Sequence, residues 1–287
     1  MIKQITIIGV GLIGGSFALA LKKAGYPGKI VGTGRREESL QKALDLGVID
    51  EYYLNMEQAV KKAELVLLAV PMSAMRTTLA TIKNHLQPHA IVTDAGSSKV
   101  SFIRDAEQVF NDLTHVVPGH PIAGREKSGV SASLDNLFKG RRVILTPTEG
   151  SAELAVHSVT RLWEMTGAVV EIMAPEYHDQ MLAATSHLPH VLAYSVVNTL
   201  ADKYQADEIF RYGAGGFRDF TRIASGDPVM WRDICLANQG AILEILDAYQ
   251  RNLCDIQTMI QNSDGEGLYK AFANSKKVRD HGCESDL

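Results

Sequence analysis

Few features of this sequence would fix a function by themselves, and each shortage removes a class. Only three cysteines occur, Cys235, Cys254 and Cys283, widely spaced and in no CxxC pair. That argues against a disulfide framework or a zinc site, and for a reducing compartment, the cytoplasm. Charge of one sign is barely in excess, because 29 basic against 33 acidic residues leave a net charge of −4. Nothing therefore draws the chain to nucleic acid or to an anionic membrane. Long apolar runs are scarce too. The uncharged stretch from Ile5 to Leu21 superficially resembles a signal peptide, but it holds Gly9, Gly11, Gly14 and Gly15 at a spacing with its own explanation. No other segment approaches the ~20 apolar residues of a membrane helix. No internal repeat, low-complexity tract or appended regulatory domain is visible.

What is present, 287 residues at 46% hydrophobic content, suffices for two domains with cores of their own. Ile5 to Val10 is a β-branched run that feeds Gly9-Val10-Gly11-Leu12-Ile13-Gly14 and then a helical stretch, Ser16 to Ala24. A strand entering a GxGxxG turn and a helix is the dinucleotide fingerprint. Gly9, Gly11 and Gly14 let the backbone approach a pyrophosphate, while Leu12 and Ile13 open the helix whose positive end faces it. The second strand, Lys29 to Gly32, should end at the residue that reads the adenosine ribose. An NAD enzyme places a carboxylate there, yet this chain reads Thr33-Gly34-Arg35-Arg36 with no acid before Glu37. A small residue followed by two guanidinium groups suits a 2′-phosphate, so NADP is the expected cofactor, with NAD possible. The plainer alternative is that Arg35 and Arg36 form a solvated loop.

Further strand signals follow at Leu65–Val70, closed by Pro71, and at 91–93, 115–117, 143–145 and 169–173, with helical stretches between several of them. Such alternation predicts an α/β domain over residues 1–174, a Rossmann-type, doubly wound, mostly parallel sheet. The loops at Val70-Pro71, after Asp94 and after Val117 then share one face, and Val70 and Pro71 are expected beside the cofactor. In the third of these loops, Pro118-Gly119-His120-Pro121-Ile122-Ala123-Gly124 cannot continue a helix and suits a strand-end loop. An imidazole there is a ready acid or base near neutral pH.

From Pro175 the pattern is helix alone, an all-helical domain over 175–275 followed by a charged tail, 276–287, expected to fray. Ser186-His187-Leu188-Pro189-His190 puts two histidines on one helix face, and Pro189 frees a carbonyl and kinks the helix. Asp227-Pro228 is an N-cap followed by proline at the first helical position. The helix beyond carries Ile242, Ile245, Leu246, Tyr249, Leu253, Ile256 and Ile260, a stripe that wants a helical partner.

These motifs occur together in the order and spacing of the prephenate/arogenate (cyclohexadienyl) dehydrogenases of tyrosine biosynthesis. The resemblance rests on Gly9–Gly14, Asp94–Lys99, Gly119–Gly129, Ser186–His190 and Gly215–Arg222 with Trp231, and covers roughly residues 3 to 265. It implies oxidative decarboxylation of prephenate to 4-hydroxyphenylpyruvate, of L-arogenate to L-tyrosine, or of both, with hydride transfer to NAD(P)+. It also implies a homodimer built by the C-terminal helices. His120 resembles the family's catalytic histidine and Ser97 the serine that holds the substrate hydroxyl and orients that histidine. Arg222 matches the arginine for a substrate carboxylate and His190 the histidine at the side-chain end, while His187, Glu126 and Trp231 fall at positions lining or gating the pocket. Arg125 stands where threonine is expected and receives no role. The other histidines, His178 among them, read as structural or exposed. Two other readings stay open: a β-hydroxyacid-type reductase, which would need a helical-domain lysine instead of the His120 loop, and a non-catalytic NADP sensor, which would not need the substrate-side groups.

Overall fold

The computed structural model describes residues 2–125 and 127–284. Among the described residues nine short strands form two sheets: β1 (Gln4–Ile8), β2 (Lys29–Thr33), β3 (Glu51–Tyr53), β4 (Leu65–Leu68), β5 (Ile91–Asp94) and β6 (Val116–Val117) in the first, then β7 (Gly119–Pro121), β8 (Arg142–Leu145) and β9 (Val169–Ile172) in the second. The first sheet is parallel throughout in the order β3-β2-β1-β4-β5-β6. Its central strands are buried on both faces, as a parallel sheet covered by helices requires. Alternate residues divide between two cores. Ile5, Ile7, Leu65 and Leu67 pack with Phe17, Phe138 and Trp163, whereas Ile8, Val66 and Leu68 pack with Met75, Leu79 and Phe102. The period of two and the helices on both sides make the domain doubly wound, as the sequence implies.

Pro118 separates the sheets. It offers no N–H to a ladder, and its carbonyl accepts from Thr146 at 3.0 Å as the chain leaves β6 and enters β7. His120 therefore lies within a strand, paired with Ile144, and not in the strand-end loop its neighbours suggest. β7 is an edge strand, which is where Pro121 costs no hydrogen bond. β7 runs antiparallel to β8 and β8 parallel to β9, so the last strands form a small sheet of their own.

The helical part begins with Pro175–Leu182, passes through a π-helical turn, Ala183–His187, and continues as Leu188–Ala201. The Leu188 amide bonds back five residues to Ala183 O, so the disturbance expected near Pro189 takes the form of a widened turn. Helices Ala206–Tyr212, Gly215–Arg222 and Pro228–Ala237 follow, the last with its N-cap Asp227 accepting from the Met230 amide at 2.8 Å. Everything up to Gln239 forms one compact unit. A second unit from Gly240 holds nearly all of helix Gln239–Gln261 and all of Gly265–Glu284, joined by a tight turn in which Ser263 takes φ 53°. Within that unit Leu243, Tyr249, Leu253 and Ile260 lie exposed. The charged stretch from Ser275 is helical as far as Glu284.

Trp163 is fully buried and touches both Phe17, at 4.6 Å between ring centres, and Phe138, at 5.1 Å. Trp163→Ala should lower unfolding stability by about 3–5 kcal/mol, read from the midpoint of a urea transition at unchanged slope.

Candidate active site

Three loops at the carboxyl ends of β1, β2 and β4 make a cradle. Gly9 adopts φ +97°, and a Cβ there would come 2.4 Å from Ala69 O; one at Gly14 would come 2.4 Å from Gly9 O. Packing excludes any side chain at both. Gly11 differs, since a Cβ there would meet nothing within 4 Å. Its lack of a side chain leaves space open before the first turn of helix Leu12–Lys23, which no side chain caps and which carries no acidic residue. The first amides of that helix are thus donors awaiting an anion. Gly9 N donates to Thr33 O at 2.9 Å, and Val70 Cγ1 lies beside Gly9, so Thr33 and Val70 border the same loop, with Pro71 exposed next to Val70. Thr33 Oγ1 is buried and finds no partner among the described residues. Arg35 and Arg36, just beyond, are exposed at the start of the next helix. The cradle fits a dinucleotide, with pyrophosphate at the glycine loop and the adenosine ribose toward Thr33 and the two arginines.

A second group is a cluster of imidazoles. His120 is buried on β7, and its Nδ1 lies 2.9 Å from His178 Nε2, a residue fully inaccessible on helix Pro175–Leu182. His178 Nδ1 lies 2.7 Å from Asp179 Oδ1. The Asp179 carboxylate also accepts from Ser98 Oγ (2.8 Å), Lys99 N (2.8 Å) and Val100 N (3.1 Å), and so caps helix Lys99–Val109 from outside. Burial would raise this carboxyl, but the bond from His178 and the donors at the helix end overcome it and hold Asp179 below the usual carboxylate range. Burial drives His120 well below an ordinary imidazole, and the charges that His178, Lys99 and His187 can carry push the same way. His120 is therefore neutral at neutral pH.

Beneath the cluster lies a fully buried ion pair. Lys99 Nζ donates to Asp94 Oδ2 at 2.5 Å and to Gly119 O at 2.6 Å, while Gly119 N and Gly96 N both donate to Asp94. Burial pushes the Asp94 carboxyl up and the Lys99 amine down. The pair clamps Gly119, the residue before His120, onto the end of β5.

His187, His190, Trp231 and Arg222 gather on the helical side. His187 is buried, and burial lowers it to about 4. Asn238 Nδ2 lies 2.8 Å from Asp179 O and 3.1 Å from His187 Nδ1. A carbonyl only accepts, so the amide NH2 faces both partners and His187 is left with its proton on Nε2, as a donor. His190 bonds Ser186 O through Nδ1 at 2.8 Å and stacks on Trp231 with centres 3.7 Å apart. Burial lowers His190, and the nearby Arg222 charge lowers it further, which puts that guanidinium within electrostatic reach. Ser73, just past the β4 loop, donates to Asp233 on the helix that carries Trp231, so the cofactor loop and this group are tied. Ser97 is half-buried beside Ser98 and makes no hydrogen bond to the described residues; the ring held against His120 is His178 instead. Glu126 lies outside the described residues.

A family model described as prephenate dehydrogenase, nucleotide-binding domain matches residues 17–172, and a second, prephenate dehydrogenase, dimerization domain, matches 174–274. This chain belongs to the prephenate dehydrogenase family. It is 40% identical over 283 residues to the cyclohexadienyl dehydrogenase of Zymomonas mobilis, covering 96% of this chain and 95% of that one. Against the prephenate dehydrogenase of Bacillus subtilis the figures are 38% over 282 residues, 96% and 75%. The crystal structure of prephenate dehydrogenase from Aquifex aeolicus with hydroxyphenyl propionate and NAD+ superposes with a TM-score of 0.91 at 40% identity, covering 97% of this chain and 98% of that chain. As a member of the family the chain is an NAD(P)-dependent oxidoreductase that performs an oxidative decarboxylation in tyrosine biosynthesis. No helix among the described residues is long and apolar enough to cross a membrane.

Sequence reading overlooked His178, Asp179, Asn238 and the Asp94–Lys99 pair as members of this prephenate dehydrogenase site. For the first three the partners lie 58 residues away for His178 with His120, 80 for Asp179 with Lys99 and 59 for Asn238 with Asp179, beyond any local pattern, whereas Asp94 and Lys99 are only five apart and what the sequence does not signal is their complete burial. Lys99→Met should leave Asp94 buried without its cation and cost about 3–5 kcal/mol in chemical denaturation. A loss below ~1 kcal/mol would show that the pair does not clamp β7.

Proposed function

We propose that the chain oxidises prephenate to 4-hydroxyphenylpyruvate and CO2, and L-arogenate to L-tyrosine by the same chemistry, with NADP the preferred cofactor. The observation that carries this reading is the buried, neutral His120 held against His178, on the strand that the buried Asp94–Lys99 pair clamps to the end of β5. His120 accepts the proton of the substrate's ring hydroxyl, and the ring carboxylate leaves as CO2 as the ring becomes aromatic. The bound nicotinamide supplies the hydride acceptor. Ser97 is assigned to the same hydroxyl by the family resemblance, and its having no hydrogen bond to the described residues agrees with that role. Arg222 offers a donor fork to a substrate carboxylate, and its charge already acts on His190. His187 presents an N–H, and Trp231 backs His190 by stacking. Glu126 is assigned to the pocket by the family resemblance alone. Gly9, Gly11, Gly14, Leu12 and Ile13 hold the pyrophosphate, and Val70 and Pro71 border it. Thr33, Arg35 and Arg36 receive the 2′-phosphate, a choice favoured by the lack of an acid between the end of β2 and Glu37.

The two family models support a division near residue 174 into a cofactor domain and a helical substrate and dimerisation domain. The homodimer is also supported by the exposed Leu243, Tyr249, Leu253 and Ile260. Unpaired Cys235 and Cys254 accord with a cytoplasmic location.

Steady-state rates with prephenate or L-arogenate, each with NADP or NAD, test substrate and cofactor together. Turnover with prephenate and NADP is expected, and Arg35→Ala with Arg36→Ala should raise KM for NADP while sparing NAD. No turnover in any of the four combinations would sink the reading. His120→Asn should cost about 10²–10⁴-fold in kcat. Because only neutral His120 accepts a proton and burial lowers its pKa, activity should hold as pH falls through 6.5 and fail only well below it. An acid limb centred at 6.5 would show that His120 is not the titrating base.

A further inference from the structure

A histidine accepts a proton only through the nitrogen that lacks one, so its tautomer decides whether it serves as a base. That choice is made at Asp179. A carboxylate has about four lone-pair sites, and four donors occupy them here: His178 Nδ1, Lys99 N, Ser98 Oγ and Val100 N. An ionised carboxylate only accepts, so His178 carries a proton on Nδ1. His178 is fully buried and faces the Lys99 cation, and burial holds its ring neutral in spite of Asp179. Its Nε2 is then a lone pair, and the atom 2.9 Å away, His120 Nδ1, has to be the donor.

We propose that His178 and Asp179 are positioning residues that lock His120 in its Nδ1–H tautomer and leave Nε2 as its basic nitrogen. The inference rests on His120 acting as the base. When Nε2 gains a proton, His120 becomes an imidazolium whose Nδ1–H already points along the His178–Asp179 line, so the new charge is met by a fixed dipole and a carboxylate. The other groups facing His120 oppose early protonation. Lys99 is cationic, its partner Asp94 is committed to Lys99, Gly96 and Gly119, and His187 is neutral. The base is therefore empty at rest but oriented for the proton it takes.

The tautomer can be read directly by 15N–1H correlation spectra of the imidazole side chains in the unmodified chain at neutral pH, with His120 identified by the signal lost in His120→Asn. The proton should sit on Nδ1 of His120, and a proton on Nε2 would overturn the proposal. Kinetics supply the second readout. His178→Leu removes the acceptor and should lower kcat roughly a hundredfold or more, with KM for prephenate and for NADP changed only a few-fold. His178→Gln, whose Oε1 can accept from His120 while its NH2 reaches toward Asp179, should recover most of the loss. Parental kcat in His178→Leu, or a glutamine variant as poor as the leucine one, would also overturn it. The spectrum needs no turnover, so a chain inactive on both substrates would defeat the catalytic reading, whereas a wrong tautomer defeats this proposal alone.

Discussion

The carboxylate of Asp179 is the contact on which the two functional halves depend. It belongs to the first helix of the helical part, yet it supplies the N-terminal cap of helix Lys99–Val109 of the Rossmann half, whose own N-cap residue, Ser98, turns its hydroxyl to Asp179 instead. Hydrogen bonds to a charged acceptor contribute about 1.5–3 kcal/mol each, well above neutral ones. Three of the four on this group, from Ser98, Lys99 and Val100, cross between the halves and make the junction hard to slide. The same oxygens determine the proton on His178, so a structural cap and an acid/base residue share one anion.

The Asp94–Lys99 pair has a different purpose. Burying two ions costs several kcal/mol apiece, and a snug apolar pair of the same volume would often be at least as stable. What an apolar pair would not supply is direction. Asp94 accepts from both Gly96 and Gly119, and Lys99 donates to the Gly119 carbonyl, so the strand carrying His120 is gripped on both polar groups of one residue. A short edge strand just past a proline has few ladder bonds to hold it, and these contacts make up the deficit.

Much of the first half was legible because its signals are local. GxGxxG follows a β-branched run, apolar strands end at proline or at small residues, and alternation divides their side chains between two cores. The family motifs likewise sit in contiguous stretches. The separate small sheet was not legible, since Val116-Val117 and Gly119-His120-Pro121 read as one strand and its loop until Pro118 is seen to pass the chain from one ladder to another. Nor was the role of His178, which looks like any helical histidine and acquires meaning only through a ring from β7 and a carboxylate whose other donors come from a distant helix. Orientation is a property of the network, and no residue type encodes it alone.

The π-helical turn at Ala183–His187 changes the arithmetic of the helix it interrupts. In an unbroken α-helix each residue advances about 100°, so His178 and His187, nine positions apart, would point about 180° away from each other. A turn that takes up one extra residue removes about one such step and brings the two rings toward the same side. The charge that His178 can carry acts on His187, and Asn238 ties His187 Nδ1 to the Asp179 carbonyl of the turn that holds His178. The widened turn thus acts as a phase shifter: two reading frames of one helix, each right for its own histidines, are spliced so that both belong to a single buried cluster.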